Sequence, residues 1–375
     1  MVIYYCSRRE KQKEIKGQID VFESFPVEKS EDVGIPVPNN QTAELIFYDE
    51  TAAQRFQDVQ SLIESATWIK LGRGTAGPLF KWVLKEGGGA IVAARKLENI
   101  TASREELANR LIMLKNIAHR NLLPLRCGFY CGEIPYLVYD YLCLGSVEDL
   151  LMHEGDARFT PLNWAIRACV SLGTARGIAA IHRSSEELVC GVIKSSNVLL
   201  KSDMRACLCG YELPYLAHSA TIVGRNPGAV APELLHTNAP VFSHKSDVYS
   251  FGVFLLELVT GRRPRTCAPG GRVMMDLRDF VRLSAGTEIF DPAVDRDGSI
   301  EEEMKRMVAI AEECLCDIPE ERPTMKQVVG KIKLLRGDGL LRRNSTPEFE
   351  QVEDAFHKDL VWPDNKDLAS DNIEL

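Results

Sequence analysis

Ser246-Asp-Val-Tyr-Ser-Phe-Gly-Val-Phe-Leu-Leu-Glu-Leu-Val-Thr260, followed by Gly261, is apolar nearly all round. A helix without a polar face belongs inside a large body, and a glycine after its last turn supplies the left-handed residue that ends it. The stretch predicts a central buried helix over 246–260. Helical patterns dominate around it, from Trp164 onward. The last of them, Thr324–Leu335, opens with Thr324 and Gln327 at cap spacing and carries Met325, Val328, Val329 and Ile332. Upstream the character changes. Trp68–Leu71, Leu79–Leu84 and Ala90–Leu97 read as short strands. One helix follows them: Ser103 and Glu106 have capping-box spacing, and Leu107, Leu111 and Leu114 recur at i, i+4, i+7. Strands with one helix and then helices alone predict an α+β fold in two segregated parts.

The 375 residues, 45% hydrophobic and 26% charged, are enough for two lobes of a soluble globular protein with a sizeable core. A net charge of −8 leaves no broad basic field for a nucleic-acid backbone. The 11 cysteines are scattered, and the pairs Cys207/Cys209 and Cys314/Cys316 lack the spacing of a structural zinc site, so reduced thiols are expected. Residues 1–16 start with an apolar run, Met1–Cys6, too short for the roughly 20 residues that cross a bilayer. Arg8, Arg9, Lys11, Lys13 and Lys16 follow it. The stretch reads either as the cytoplasmic, juxtamembrane end of a membrane helix, which would tether the chain, or as an ordinary basic start. Residues 17–41, broken by Pro26, Pro36 and Pro38, read as a flexible linker. A helical pattern at Phe56, Val59, Leu62 and Ile63 precedes the first expected strand, and 337–375 reads as an acidic disordered tail.

Leu71-Gly72-Arg73-Gly74-Thr75-Ala76-Gly77 lies between two expected strands. Glycines at this spacing let backbone N–H groups close over phosphates, or simply make a tight hairpin; alone, the motif leaves both open. It is followed in order by Val92-Ala-Ala-Arg-Lys-Leu97, His119-Arg-Asn-Leu122, Leu137-Val-Tyr-Asp-Tyr141, Ile193-Lys-Ser-Ser-Asn-Val-Leu-Leu200, Ala231-Pro-Glu233, Ser246-Asp-Val-Tyr-Ser-Phe-Gly252 and Cys316-Asp-Ile-Pro-Glu-Glu-Arg-Pro323. Over roughly residues 42–336 the series resembles the cytoplasmic kinase domain of plant leucine-rich-repeat receptor-like kinases. The resemblance implies a bilobal protein-kinase fold, with an N-lobe at about 42–138, mostly β with one main helix, and a helical C-lobe at about 142–336.

The resemblance also assigns roles. Glu233 and Arg322 stand at a buried ion pair, and Asp247 where a carboxylate holds the catalytic-loop backbone. Nucleotide contacts fall on Gly72, Gly74, Gly77, Ala93, Arg95 and the hinge residues Tyr139 and Tyr141. Several chemical positions are altered. Arg95 replaces the strand lysine that holds phosphates, Lys96 points to the opposite face, and Arg110 replaces the helix glutamate that would pair with the lysine. Glu106, one turn earlier, is placed to neutralise Arg110. The catalytic triplet is Cys190-Gly191-Val192, with Val192 at the base position, while Lys194 and Asn197 are retained. Gly210-Tyr211-Glu212 replaces the metal-binding triplet, so no metal ligand is expected at Gly210. Asn226 and Ala229 replace a threonine and a tyrosine in the activation segment.

A positioned base is worth about 10²–10⁴ in rate, and a metal several kcal/mol of charge stabilisation. Losing both, along with the ion pair, predicts a pseudokinase that signals by protein binding or allostery. Its partners would be active receptor-like kinases or other signalling proteins, in the cytoplasm at the inner face of the plasma membrane. It would require no cofactor, bind ATP weakly and make no use of Mg. Two alternatives stay open: a weak or atypical ATP-dependent Ser/Thr kinase using Arg95, Lys194, Asn197 and Glu212, and a cytoplasmic fragment of a transmembrane leucine-rich-repeat receptor. Ser345 and Thr346, after Arg342 and Arg343, are candidate phosphorylation sites.

Overall fold

The computed structural model describes residues 43–48, 66–84, 91–98, 100, 102–152, 162–268, 273–284 and 286–337. The N-terminal stub, the linker, the pattern at Phe56–Ile63, and Ser345 and Thr346 lie outside them. Chain contacts separate Met1–Ile332 from Lys333–Leu375, and the sheet, the cleft and the central helix belong to the first unit.

Six antiparallel strands form one sheet: β1 (Ala43–Tyr48), β2 (Ala66–Gly74), β3 (Gly77–Leu84), β4 (Ile91–Lys96), β5 (Leu125–Cys131) and β6 (Ile134–Asp140), in the order β1-β5-β6-β4-β3-β2. Side chains alternate across a strand. One face therefore gathers Phe80, Trp82, Val92, Ala94, Cys127, Phe129, Tyr136 and Val138 into a buried cluster, with Trp68 packed against it. Aromatic contacts knit it together: the Trp68 and Trp82 centroids are 3.7 Å apart, and Phe129 stacks on Tyr136 at 5.3 Å. The expected strand at Trp68–Leu71 is longer than its pattern suggested and runs on into the first two glycines of the loop.

Helix α1 (Arg104–Lys115) buries Leu107, Leu111 and Leu114, the predicted stripe. Its capping box is complete: Glu106 N donates to Ser103 Oγ at 3.2 Å and Ser103 N donates to Glu106 Oε2 at 2.9 Å. Ser103→Ala is expected to cost about 1 kcal/mol, read as a lower urea midpoint at unchanged slope. A midpoint unmoved by the substitution would mean the cap contributes nothing.

Beyond the sheet the described elements are mostly helical: α2 (Val147–Met152), α3 (Trp164–Ser184), the hairpin β7 (Val198–Leu200) and β8 (Ala206–Leu208), the short α4 (Leu213–Leu216) and α5 (Ser219–Gly224), and α6 (His244–Thr260). A second hairpin, β9 (Arg265–Cys267) with β10 (Met274–Asp276), leads to α7 (Leu277–Leu283), α8 (Gly298–Cys314) and α9 (Met325–Gly337). The central helix α6 is buried from Ser246 to Thr260 and ends on left-handed Gly261, as its sequence predicts. Asn163 caps α3, whose Arg167 is buried in an ion pair with Asp291 at 2.7 Å. Among the described residues no helix is long and apolar enough to cross a membrane, and the cysteines are free thiols.

Candidate functional site

Alternation along β4 sends Val92 and Ala94 into the aromatic cluster and turns Ala93 and Arg95 to the other face. There Ala93 pairs in register with Tyr139 of β6. Tyr141 follows the end of β6, with the Lys81 ammonium 4.7 Å above its ring. The glycine loop is a tight hairpin in which Thr75 and Ala76 form the turn between β2 and β3. Gly77 has φ +127°, and a side chain there would run into the Lys96 carbonyl. A Cβ on Gly74 would stand 2.7 Å from Arg95 Nη1, whereas one on Gly72 would meet open space. The Arg95 guanidinium thus lies directly beneath the loop.

The groups around it come from β6 and from the activation segment. Glu212 is 1% exposed, and Tyr139 donates its hydroxyl to Glu212 Oε1 at 2.8 Å. Glu212 Oε2 has no hydrogen-bond donor. Burial alone would lower the pKa of Arg95, but Tyr139, Glu212 and Cys209 around it raise it. The same site pushes the Tyr139 phenol well above its usual range, first by burial and then by Glu212. Cys209 is pushed up to about 12, again by burial first and Glu212 second. All three shifts describe a cation and a carboxylate confined together in low dielectric.

Arg110 does not face Arg95's partner set. It donates from Nη1 to the Tyr215 carbonyl at 2.7 Å. The Glu106 carboxylate, one turn earlier, is engaged first by the backbone and hydroxyl of Ser103 in the cap, and Arg110 also helps to lower its pKa. Tyr215 in turn accepts from Val189 N at 2.6 Å, and Tyr211 donates to the Leu123 carbonyl at 2.8 Å. At the far end of α5, Arg225 donates to the Gly74 carbonyl at 3.1 Å. Asn226 is buried, donates to the Ile222 carbonyl at 2.6 Å and leaves its Oδ1 unpartnered. The segment therefore touches α1, β6 and the glycine loop at once.

Below it, fully buried Asp247 accepts from Cys190 N at 2.7 Å, Gly191 N at 2.9 Å and the His182 ring at 2.8 Å, the backbone-holding part expected of it. Val192 presents no proton acceptor in its side chain; its carbonyl receives Asn197 Nδ2 at 3.2 Å. Gly210 has φ +80°, and a Cβ there would be 3.3 Å from Asn197 Nδ2. Burial lowers the Lys194 pKa, opposed by Glu148 and Glu257. Glu233 and Arg322 make the expected pair, with both carboxylate oxygens engaged at 2.7 and 2.8 Å; Arg322 is fully buried and Glu233 partly so.

Three contributors were not foreseen from sequence. Glu257 accepts from Ser195 N at 3.0 Å and Ser195 Oγ at 2.5 Å, and burial raises its pKa to about 7. A carboxylate deep in an apolar stretch, ten residues past Asp247, was the available signal, since a buried charge needs a partner. Tyr215 and Arg225 lie in a segment without periodicity, and only the fold brings them to their partners.

A family model described as protein tyrosine and serine/threonine kinase matches residues 67–332. The probable inactive receptor kinase RLK902 of Arabidopsis thaliana is 34% identical over 317 residues, covering 81% of this chain and 47% of that protein. The leucine-rich repeat receptor-like protein kinase PXC1 of Arabidopsis thaliana is 33% identical over 312 residues, 78% of this chain and 46% of that protein. The chain spans about half the length of the curated relatives it matches. Among solved structures, the kinase domain of maize SIRK1 (sucrose-induced receptor kinase 1) bound to AMP-PNP superposes with a TM-score of 0.68 at 27% identity, covering 78% of this chain and 99% of that one. The pseudokinase domain of BIR2, an immune regulator of the RLK/Pelle family, gives 0.59 at 26% identity, covering 84% and 94%. The chain belongs to the protein tyrosine and serine/threonine kinase family, and its relatives there are plant leucine-rich-repeat receptor-like kinases, several of them named inactive.

Proposed function

We propose that this chain is a pseudokinase domain of receptor-like kinase signalling, acting by binding and allosteric control of catalytically active receptor kinases rather than by phosphate transfer. The observation that carries the reading is the Glu212 carboxylate, buried in the cleft between Arg95 and Tyr139. An acceptor group with an unpartnered oxygen repels phosphates, and its field offsets that of Arg95 beneath the glycine loop. The residues present do not fit magnesium either. Gly210 offers no side-chain ligand where a carboxylate is needed, which leaves the neutral Asn197 amide oxygen and the one Glu212 oxygen not held by Tyr139, too weak a set. With Val192 at the base position, nothing in the loop side chains can accept a hydroxyl proton.

Nucleotide is therefore a weak, metal-independent ligand at most, and no cofactor is needed. Partners are receptor kinases or other signalling proteins on the cytoplasmic side of the plasma membrane, a reading supported by relatives named as receptor kinases. The test has two arms. Purified protein incubated with radiolabelled ATP and Mg is expected to incorporate no label above a buffer control, and Val192→Asp is expected to leave it unlabelled. ATP is expected to move the melting temperature equally with Mg or with chelator. Label incorporation that vanishes in Lys194→Ala, or a thermal shift seen only with Mg, would establish a weak kinase instead.

A further inference from the structure

Three side chains able to ligate a metal meet behind the catalytic loop, each from a different stretch of chain. His182 lies in the last turn of α3, Cys190 in the loop that follows it, and Asp247 in the first turn of α6. One ligand atom from each lies within 4.8 Å of the other two, and this is the one such group among the described residues. Spacing along the chain could not show it, because positions 182, 190 and 247 belong to no common motif. Cys190 is buried and Asp247 fully so, while the His182 side chain is 10% exposed.

The surroundings hold these groups in place. Asp247 Oδ1 accepts from Gly191 N and Oδ2 from Cys190 N. Left-handed Gly191, φ +86°, permits that double contact where a Cβ would strike the Pro214 ring. Just beyond, Ile193 N donates to Ser250 Oγ at 3.2 Å. The His182 ring stacks on His244 with centroids 3.8 Å apart and planes 11° apart, and His244 Nε2 lies 2.9 Å from the Leu188 carbonyl. An outer neighbour thus orients the imidazole, as it does for ligating histidines in general.

Thiol, imidazole and carboxylate make a mixed S, N and O donor set, which suits zinc and not magnesium or calcium. Charge points the same way. A thiolate and a carboxylate together offset a dication, so the occupied site is neutral, as a low-dielectric interior demands. Without an ion, burial first and Asp247 second hold the Cys190 thiol protonated, its pKa well above the ordinary value. When zinc enters, that proton leaves to solvent and the imidazole proton moves from Nε2 to Nδ1, freeing the nitrogen that faces Asp247. Zinc bonds of about 2.0–2.3 Å set neighbouring ligand atoms about 3.3–3.6 Å apart. His182 Nε2 and Asp247 Oδ2, at 2.8 Å, open by about 0.5 Å to meet this, and the thiol turns in.

We infer that His182, Cys190 and Asp247 form a zinc site that fastens the catalytic loop to α3 and α6. Water completes the tetrahedron, entering along the exposed edge of His182. The ion adds rigidity to a fold that stands without it, since Asp247 holds the loop backbone either way. The inference does not rest on the proposed function and holds equally for a catalytically active or inactive chain.

Cobalt(II) is the probe, because thiolate ligation gives it a near-ultraviolet charge-transfer band and a tetrahedral site an intense visible spectrum. Titrated into the full chain with a phosphine reductant present, cobalt is expected to develop both bands to saturation, and zinc to displace it. Cys143→Ser/Cys267→Ser, which removes the exposed thiols of the described residues, should leave the bands intact. Cys190→Ser keeps a hydroxyl for Asp247 and should weaken binding about a hundredfold or more, since losing even an outer partner of a ligand costs about 10–100-fold. Zinc should raise the melting temperature of the parent and not that of Cys190→Ser. No charge-transfer band in the parent, or a band unchanged in Cys190→Ser, overturns the site. If the metal-free melting temperature shows that Cys190→Ser does not fold, cadmium NMR of the unaltered chain decides. A bound resonance in the range of a single sulfur ligand upholds the site; a multi-sulfur resonance, or none from bound ion, overturns it.

Discussion

Arg322→Ala is expected to destabilise the fold by about 3 kcal/mol, the cost of removing a buried guanidinium whose carboxylate partner is partly exposed. Arg322 is 1% exposed and uses nearly every donor it has. Nε goes to the Cys316 carbonyl at 2.7 Å, Nη1 to Glu233 at 2.7 Å and the Lys245 carbonyl at 2.9 Å, and Nη2 to Glu233 at 2.8 Å. Its guanidinium also lies 5.0 Å from the Tyr249 ring centroid. Truncation leaves the Cys316 and Lys245 carbonyls without this donor and the partly exposed Glu233 carboxylate with water in place of its fork. For a domain of this size the melting temperature should fall by roughly 10 °C. Arg322→Lys should recover little, because a single ammonium cannot reproduce the fork. A melting temperature within a degree or two of the parent's would show that the activation segment is anchored by something else.

The second large effect is a pH dependence centred on Glu257. Its pKa rises from an ordinary 4.5 to about 7, chiefly through burial, with the Ser195 hydrogen bonds opposing. A carboxyl that binds its proton more tightly when folded favours the folded state at low pH. That contribution is full below about 4.5, shrinks as pH rises towards 7 and is gone above it. The difference amounts to on the order of 3 kcal/mol across this window. Glu257→Gln keeps an acceptor for Ser195 but removes the ionisation. Urea unfolding of both proteins from pH 5 to 8.5 should therefore give curves that nearly coincide at the acid end and separate as pH rises, the variant being the more stable. Parallel curves would mean that Glu257 is charged throughout and that burial does not govern it.

The backbone plan could be read from the chain because it rests on local rules. The Ser103–Glu106 cap, the Leu107/Leu111/Leu114 stripe and the all-apolar run ending at Gly261 each specify an element by themselves. Strand β1 escaped notice: Leu45 is 52% exposed, so an apolar residue faces outward on an edge strand and the expected alternation is blurred. Counting along β4 located Arg95, but no local pattern could say what would meet its charge. Glu212 reaches it only through the fold of the activation segment. The Glu106–Arg110 pairing was legible only in part, for a related reason. Helical spacing makes a pair available, but a stronger competing demand, here the cap, decides which partner is taken.

The activation segment's three attachments, to the glycine loop through Arg225, to α1 through Arg110 and to β6 through Glu212, bear on how a partner would meet this molecule. A working kinase spends part of its time in forms that a given binder does not recognise, and its apparent affinity drops by that fraction. Here excursions between such forms require breaking charge-assisted bonds together, so one form dominates before any encounter. The ordering entropy that flexible loops surrender at an interface has already been lost during folding. Association should then proceed as between two preformed patches, at about 10⁵–10⁷ per molar per second, with the dissociation rate carrying the differences among partners.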